Sequence, residues 1–170
     1  RLNGVFHGVT NQLNEVGITP EIIHVRDLPS EDLLHAKFDS EEILKANRKV
    51  EHSNLVVILT PVYKASFSGV LKTYLDLLPQ NGLEGKTILP IAVGGTYGHL
   101  LMIDYALKPV LNALGATHIL KGLFVLDSQI KKLGNDRYEL DSESKNRIVS
   151  SLNILTKSLL TPKSVSGFII

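Results

Sequence analysis

No cysteine occurs in the 170 residues. Disulfides, thiolate metal sites and a cysteine nucleophile are therefore excluded, and the absence agrees with a cytoplasmic location. Neither sign of charge dominates, with 18 Lys and Arg against 17 Asp and Glu and a formal net charge of +1. A field able to gather nucleic acid is not expected, and no basic stripe with interleaved aromatics appears. No apolar run reaches the roughly 18 residues of a membrane span, and no secretory segment is visible. Neither nucleic acid nor membrane is expected as a partner. His7, His24, His35, His52 and His118 are scattered without ligand spacing, so they read as surface or satisfied side chains and no metal is expected. What is present, 44% hydrophobic and 21% charged residues, is the balance of a soluble globular chain of one-domain length.

The apolar residues set an alternating order. Leu2, Val5, Phe6, Val9, Leu13 and Val16 share one helical stripe that Gly17 closes. Glu21 to Val25 reads as a short strand. Asp39 and Ser40 offer caps for a helix to about His52, with Glu41 and Glu42 favourable in its first turn. LVVILT (55–60) is continuous, as in a strand buried on both faces. A helix over Ser68–Leu78, a strand over Lys86–Val93, a helix over His99–Leu114 and a strand over Leu120–Leu126 follow. Ser142 to about Leu160 is the last helix, with Ile148, Leu152 and Leu155 inward, and residues 161–170 form a tail without periodicity. One domain over 1–160 is expected. Such alternation implies a parallel sheet with helices on both faces, a flavodoxin-like doubly wound sheet of order 2-1-3-4-5. The chain opens in a helix, whereas that order has its first strand at the centre. A strand and phosphate-binding loop, about 10 to 15 residues given strands of about 5–6, are expected before Arg1.

In such a sheet ligands bind outside the carboxyl ends of the strands, and two segments there are unusual. The first is Pro61-Val62-Tyr63-Lys64-Ala65-Ser66-Phe67-Ser68-Gly69. It reads either as a loop laying backbone amides and a flat side chain along a planar heterocycle, or as a plain turn with Ser68 capping a helix. The second is Gly94-Gly95-Thr96-Tyr97-Gly98-His99. Paired glycines admit a ligand close to the backbone, or make a tight turn. The segment lacks the G-x-G-x-x-G spacing of a dinucleotide fingerprint. Ser66 and Ser68 belong to no recognisable triad, so hydrolase chemistry has little support. Asp127, Ser128 and Gln129 end a strand and reach either a cofactor rim or a neighbouring subunit, or simply cap a turn. Lys131 and Lys132 read as a solvated pair, with attraction of an NADPH phosphate as the alternative. Tyr105 lies four residues before Pro109, which removes a backbone donor and crowds the Tyr105 carbonyl, so an irregular helical turn is expected there.

PVYKASFSGVLKTYLDLLP (61–79), LPIAVGGTYGHLLMIDYALKPVLNALGA (89–116), GLFVLDSQ (122–129) and EDLLHAKFDS (31–40) together resemble the NAD(P)H-dependent FMN reductases of alkanesulfonate assimilation. The first segment marks the broad flavodoxin-like reductase family, and GGT-x-x-HLL followed by DYALKP marks the narrower group. The resemblance implies that Arg1 faces the FMN phosphate. It implies that Pro61, Val62, Tyr63 and Lys64 line the flavin from one strand end while Gly94, Gly95 and Thr96 approach it from the other; His99, by its position at a helix start beside the glycines, is a further candidate for ligand contact. It also implies that Tyr105 is the inserted residue of a π-turn at a tetramer interface, where it serves flavin release. The cofactors implied are FMN and NADPH or NADH. The partners implied are a second copy of the chain, as dimer or tetramer, and an FMN-dependent monooxygenase that receives reduced flavin. Hydride transfer needs stacking and orientation more than an acid or base, so no residue is assigned as either. Two other readings stay open: a quinone, azo-dye or metal-ion reductase that keeps its FMN, and a flavodoxin-like electron carrier, against which the near-neutral charge speaks.

Overall fold

The structure is a computed structural model that describes residues 1–135 and 137–157, and the backbone of 168–169. Its first half runs α1 (Leu2–Glu15), β1 (Ile22–Ile23), α2 (Ser30–Leu34), α3 (Glu41–Glu51), β2 (Leu55–Tyr63), β3 (Ser66–Phe67) and α4 (Gly69–Leu75). The second half runs β4 (Thr87–Gly94), a π-helix (Ile103–Leu107) continuing into α5 (Lys108–Ala113), β5 (His118–Ile119), β6 (Leu123–Leu126), β7 (Ile130–Gly134), β8 (Arg137–Leu140), α6 (Ser142–Lys157) and β9 (Phe168–Ile169).

The two longest strands form where apolar residues run without a break. β2 and β4 pair in parallel from Leu55↔Thr87 to Pro61↔Val93. Side chains alternate across a strand, so the run splits between two cores. Val56 and Ile58 join Ile43 and Val50 of α3, Leu71 and Tyr74 of α4, and Leu111 of α5. Val57 and Leu59 join Val5, Val9 and Leu13 of α1 and Ile148 and Leu152 of α6. Burying each such aliphatic side chain contributes about 1.5–3 kcal/mol. α1 ends in a Schellman arrangement, with Ile18 N–H donating to Leu13 O (2.9 Å) across Gly17 at φ +79°. Gly4 and Gly8 let β8 lie against α1, since a Cβ at either would come within 2.7 Å of Tyr138 or Leu140.

The strand order is β1-β9-β2-β4, and β4 carries β5 along its first residues and β6 along its last. All of these pairings are parallel. That is the flavodoxin-like order of the doubly wound class. The position between β1 and β2, expected for a strand ahead of Arg1, is held in this structure by β9. β9 faces only Val57 and Ile58 of β2, so the rest of the β2 edge is unpaired on that side among the described residues.

Several local expectations need correction. The strand expected over Glu21–Val25 is reduced to Ile22–Ile23, and the next residues make a 3-10 turn, Val25–Asp27. The strand expected over Leu120–Leu126 is shortened to β6 (Leu123–Leu126), and Gly122 at φ +87° separates it from β5, which lies ahead of the expected start. α4 stops at Leu75 rather than Leu78, and Val16 is exposed rather than inward. The β7–β8 hairpin was not anticipated, because its residues alternate weakly. Ser40 starts α3 without capping it, its hydroxyl donating to Asp32 instead. α6 is described to Lys157, and its expected end near Leu160 lies outside the described residues, as does most of the tail. No helix among the described residues is long and apolar enough to cross a membrane.

Candidate functional site

The carboxyl end of β2 does not run straight into α4. It folds back as a hairpin, with β3 pairing antiparallel to Val62 and Tyr63. The two turn residues, Lys64 (φ +49°) and Ala65 (φ +63°), both adopt the left-handed region. A two-residue hairpin with positive φ at both positions normally uses Asn or Gly. Here Lys and Ala carry it, at roughly 1–2 kcal/mol per residue. Ser68 then caps α4, accepting from Leu71 N–H at 3.2 Å, while Thr60 Oγ1 accepts from Ser68 N–H at 3.1 Å. Ser68 is thus a helix cap, and a strained hairpin stands in front of it with Tyr63 exposed.

The end of β4 lies alongside. Gly94 and Gly95 are adjacent but differ physically. A Cβ at Gly94 would meet Phe124 Cζ at 2.7 Å and Val62 at 3.2 Å, so packing within the protein requires glycine there. A Cβ at Gly95 would meet nothing within 4 Å, and its φ is not positive. The fold itself therefore does not demand glycine at 95. Beyond it, Thr96 Oγ1 accepts from Gly98 N–H at 3.2 Å, shaping the turn into a 3-10 segment, Tyr97–His99.

Between these ends lies an open cavity of about 420 Å³. It gathers Arg1, Pro61, Val62, Tyr63, Gly94 and Gly95 from the residues singled out in the sequence, together with Asp127. Arg1 Nη1 stands 3.3 Å from Asp127 Oδ2, a partly exposed pair of small energy. Lys64, Thr96 and His99 do not line the cavity: Lys64 sits on the hairpin tip, Thr96 is exposed, and His99 is half-buried in the 3-10 segment. Ser128 and Gln129 are in the turn after β6, where Gln129 Oε1 accepts from Leu126 N–H at 3.0 Å, and Lys131 and Lys132 are exposed on β7. Asn3 and Arg26 also line the cavity and were missed. The available signal was position, since Arg26 follows directly on the EIIHV segment at a strand's carboxyl end.

Tyr105 lies outside the cavity lining. It is the middle residue of the π-helix and is 79% exposed, near the exposed Tyr97, Leu100 and Leu101. The widened turn sits where Pro109 cannot donate to the Tyr105 carbonyl, and Asp104–Lys108 (2.6 Å) spans it as an ion pair. Beneath, Met102 and Ile103 pack on Ala92 of β4 and Phe124 of β6, which anchors the π-helix to the sheet. No group of three or more His, Asp or Glu suited to a metal ion occurs among the described residues.

A doubly wound sheet with a shallow, glycine-edged cavity at its carboxyl ends is the frame of a nucleotide-binding α/β protein. Residues 5–131 match the profile of the NADPH-dependent FMN reductases, and the chain belongs to that family. It is 52% identical over 118 residues to an FMN reductase (NADPH) of Pseudomonas putida KT2440, an overlap covering 69% of this chain and 60% of the relative. It is 49% identical over 116 residues to an FMN reductase (NADPH) of Escherichia coli K12, covering 67% and 61%. The chain spans about three fifths of the length of these relatives. Among solved structures it is similar to the apo form of an NADH:FMN oxidoreductase (EMOB), at 29% identity and TM-score 0.77 over 94% of this chain and 83% of that one.

Proposed function

We propose that the protein uses NADPH or NADH to reduce FMN and releases the reduced flavin to an FMN-dependent monooxygenase of sulfonate sulfur assimilation. The observation that carries the reading is Gly95, whose missing side chain serves no packing need of the fold and leaves bare backbone facing a cavity at the sheet's carboxyl edge. A planar ring system needs such an approach, and about 420 Å³ falls within the roughly 300–1,000 Å³ of ligand pockets. FMN, when bound, supplies the two-electron acceptor.

The chain's own residues supply position. Pro61, Val62 and Tyr63 form one wall, stiffened by the hairpin whose tip is Lys64. Gly94 and Gly95 form the other, with Thr96 and His99 following in the chain outside the lining, and Arg1 attracts the phosphate. No side chain is assigned proton transfer, because the step depends on stacking and alignment. The openness of the site suits a flavin that comes and goes. The exposed Tyr105, with Tyr97, Leu100 and Leu101 nearby, supports subunit contact through the π-helix in a dimer or tetramer, and the working location is the cytoplasm.

The test is anaerobic NADPH oxidation by the intact protein with and without added FMN. A protein that purifies colourless and oxidises NADPH in proportion to added FMN behaves as proposed. A yellow protein that passes electrons from retained flavin to quinone or dye is a general flavoprotein reductase instead. Deleting Tyr105 restores regular helical spacing. It is expected to tighten FMN binding and slow free-flavin turnover, and a colourless variant with normal turnover would disprove the release role.

A further inference from the structure

Taking the cavity as a flavin site, we infer that Arg26 is a second phosphate-binding residue, converging with Arg1 on a phosphomonoester. Arg26 belongs to the 3-10 turn that follows β1, at the same carboxyl edge of the sheet as the cavity. Its base is rigid. Val25 is 1% exposed, and Asp27 N–H donates to His24 O at 2.9 Å. The side chain of Arg26 therefore projects from a fixed point.

Arg26 also stands on the wall between two spaces. It lines the 420 Å³ cavity and an adjoining one of about 260 Å³, and Leu2, Asn3 and Pro61 are shared with it. The second space reaches neither Tyr63 nor the glycines. Arg26 thus stands where the cavity meets the second space, a part that Pro61 shares and that Tyr63 and the glycines do not reach, and the charged end of a flavin nucleotide fits there. The start of α1 contributes Leu2 and Asn3 to the same end and carries no acidic side chain in its first turn, leaving the positive pole of the helix unopposed.

Charge separates the two arginines. Arg1 is paired with Asp127, whereas no carboxylate comes within the 4.0 Å ion-pair distance of Arg26 among the described residues. The wall thus offers two guanidinium groups and one carboxylate, and the unpaired cation is Arg26. A dianion that exchanges for Asp127 on Arg1 and bonds Arg26 relieves the repulsion between two cations in one cavity. Guanidinium suits this because its planar fork matches phosphate oxygens. Two ligands of the proposed reaction carry a phosphomonoester that a close analogue lacks: FMN against riboflavin, and NADPH against NADH.

The experiment compares wild type, Arg26→Gln and Arg26→Lys in the full chain. Flavin fluorescence titrations give affinities for FMN and riboflavin, and steady-state assays give KM for NADPH and NADH. Hydrogen bonds to charged groups are worth about 1.5–3 kcal/mol, so Arg26→Gln is expected to weaken FMN roughly 10- to 100-fold. Riboflavin affinity stays within about twofold, which also reports that the variant is folded, and Arg26→Lys recovers part of the loss. If FMN affinity holds while the NADPH preference over NADH collapses, the phosphate that Arg26 binds is the nicotinamide nucleotide's, and the assignment of a phosphomonoester stands. If both discriminations survive in Arg26→Gln, Arg26 has no such role. If wild type binds neither flavin, the reading of the whole site fails, and Arg26 with it.

Discussion

The two ends of the central sheet are built on opposite terms. At the amino end the Lys86 ammonium is held by backbone carbonyls. Lys86 is 8% exposed, and its Nζ donates to the carbonyls of Glu51 (2.9 Å) and Ser53 (2.7 Å) where α3 runs out. Ser53 Oγ donates back to Val50 O at 2.7 Å, and Thr87 N–H to Asn54 O at 2.9 Å. Burial pushes the Lys86 ammonium pKa down, with the Glu51 carboxylate opposing it, and the carbonyls of a helix C-terminus compensate a cation there. At the carboxyl end the terms reverse. Lys64 and Ala65 hold left-handed backbone, Gly95 faces open space, Tyr63 is exposed and Arg26 has no ion-pair partner among the described residues. Groups that satisfy one another serve stability, and groups left strained or unpartnered beside a cavity are available to a ligand.

The adjacent glycines test this contrast most severely. Gly95→Val is expected to lower FMN affinity roughly 10- to 100-fold, about 1–3 kcal/mol of overpacking against the ligand. Its unfolding free energy should stay within about 0.5 kcal/mol of wild type. Gly94→Ala should do the converse, because Phe124 and Val62 must move to admit the methyl group. A loss of about 1–3 kcal/mol in stability is expected there. Denaturant melts paired with FMN titrations would read both, and equal effects of the two substitutions on stability would remove the distinction.

At the amino end, Lys86→Met leaves the carbonyls of Glu51 and Ser53 without their partner. A destabilisation of about 1–3 kcal/mol is expected, with FMN affinity and turnover unchanged. A variant of full stability would show that the buried ammonium is compensated elsewhere. Tyr74 supplies the smallest test. It is fully buried in the helical core and its hydroxyl has no hydrogen-bond partner among the described residues, and burial pushes the pKa of that hydroxyl up. An unsatisfied polar group sealed from any ligand is a cost only, so Tyr74→Phe is expected to stabilise by about 1 kcal/mol. Loss of stability would mean that the hydroxyl has a partner.

How much of this was legible depended on how local the cause is. β2 and β4 were readable because a continuous apolar run admits few alternatives to a strand buried on both faces. The Ser68 cap, the Gly17 stop and the irregular turn at Tyr105 were readable because each depends on residues within a few positions of one another. The paired glycines and the Pro61–Gly69 segment pointed to the sheet edge where the cavity of Arg1, Tyr63 and Gly95 lies. The division of work between Gly94 and Gly95 was not visible, since it depends on Phe124, thirty residues away in the chain and adjacent only across β4 and β6. Arg26 and Lys86 were invisible for the same reason: an exposed arginine and a lysine before a strand look alike until folding buries one and leaves the other at a cavity.

The shortest strands complete the lesson. Ile22–Ile23 and Phe168–Ile169 have two residues each; the first lay inside the EIIHV run and was anticipated too long, and the second was not anticipated. Their extended backbone is set by hydrogen bonds to neighbours remote in sequence. Local pattern was therefore sufficient for the class of fold, the long strands and the edge where the cavity lies, because these follow from periodicity and nearby backbone chemistry. The occupant of the central sheet position, the separate roles of adjacent glycines and the second arginine of the cavity depend on contacts between distant segments, which exist only once the chain has folded.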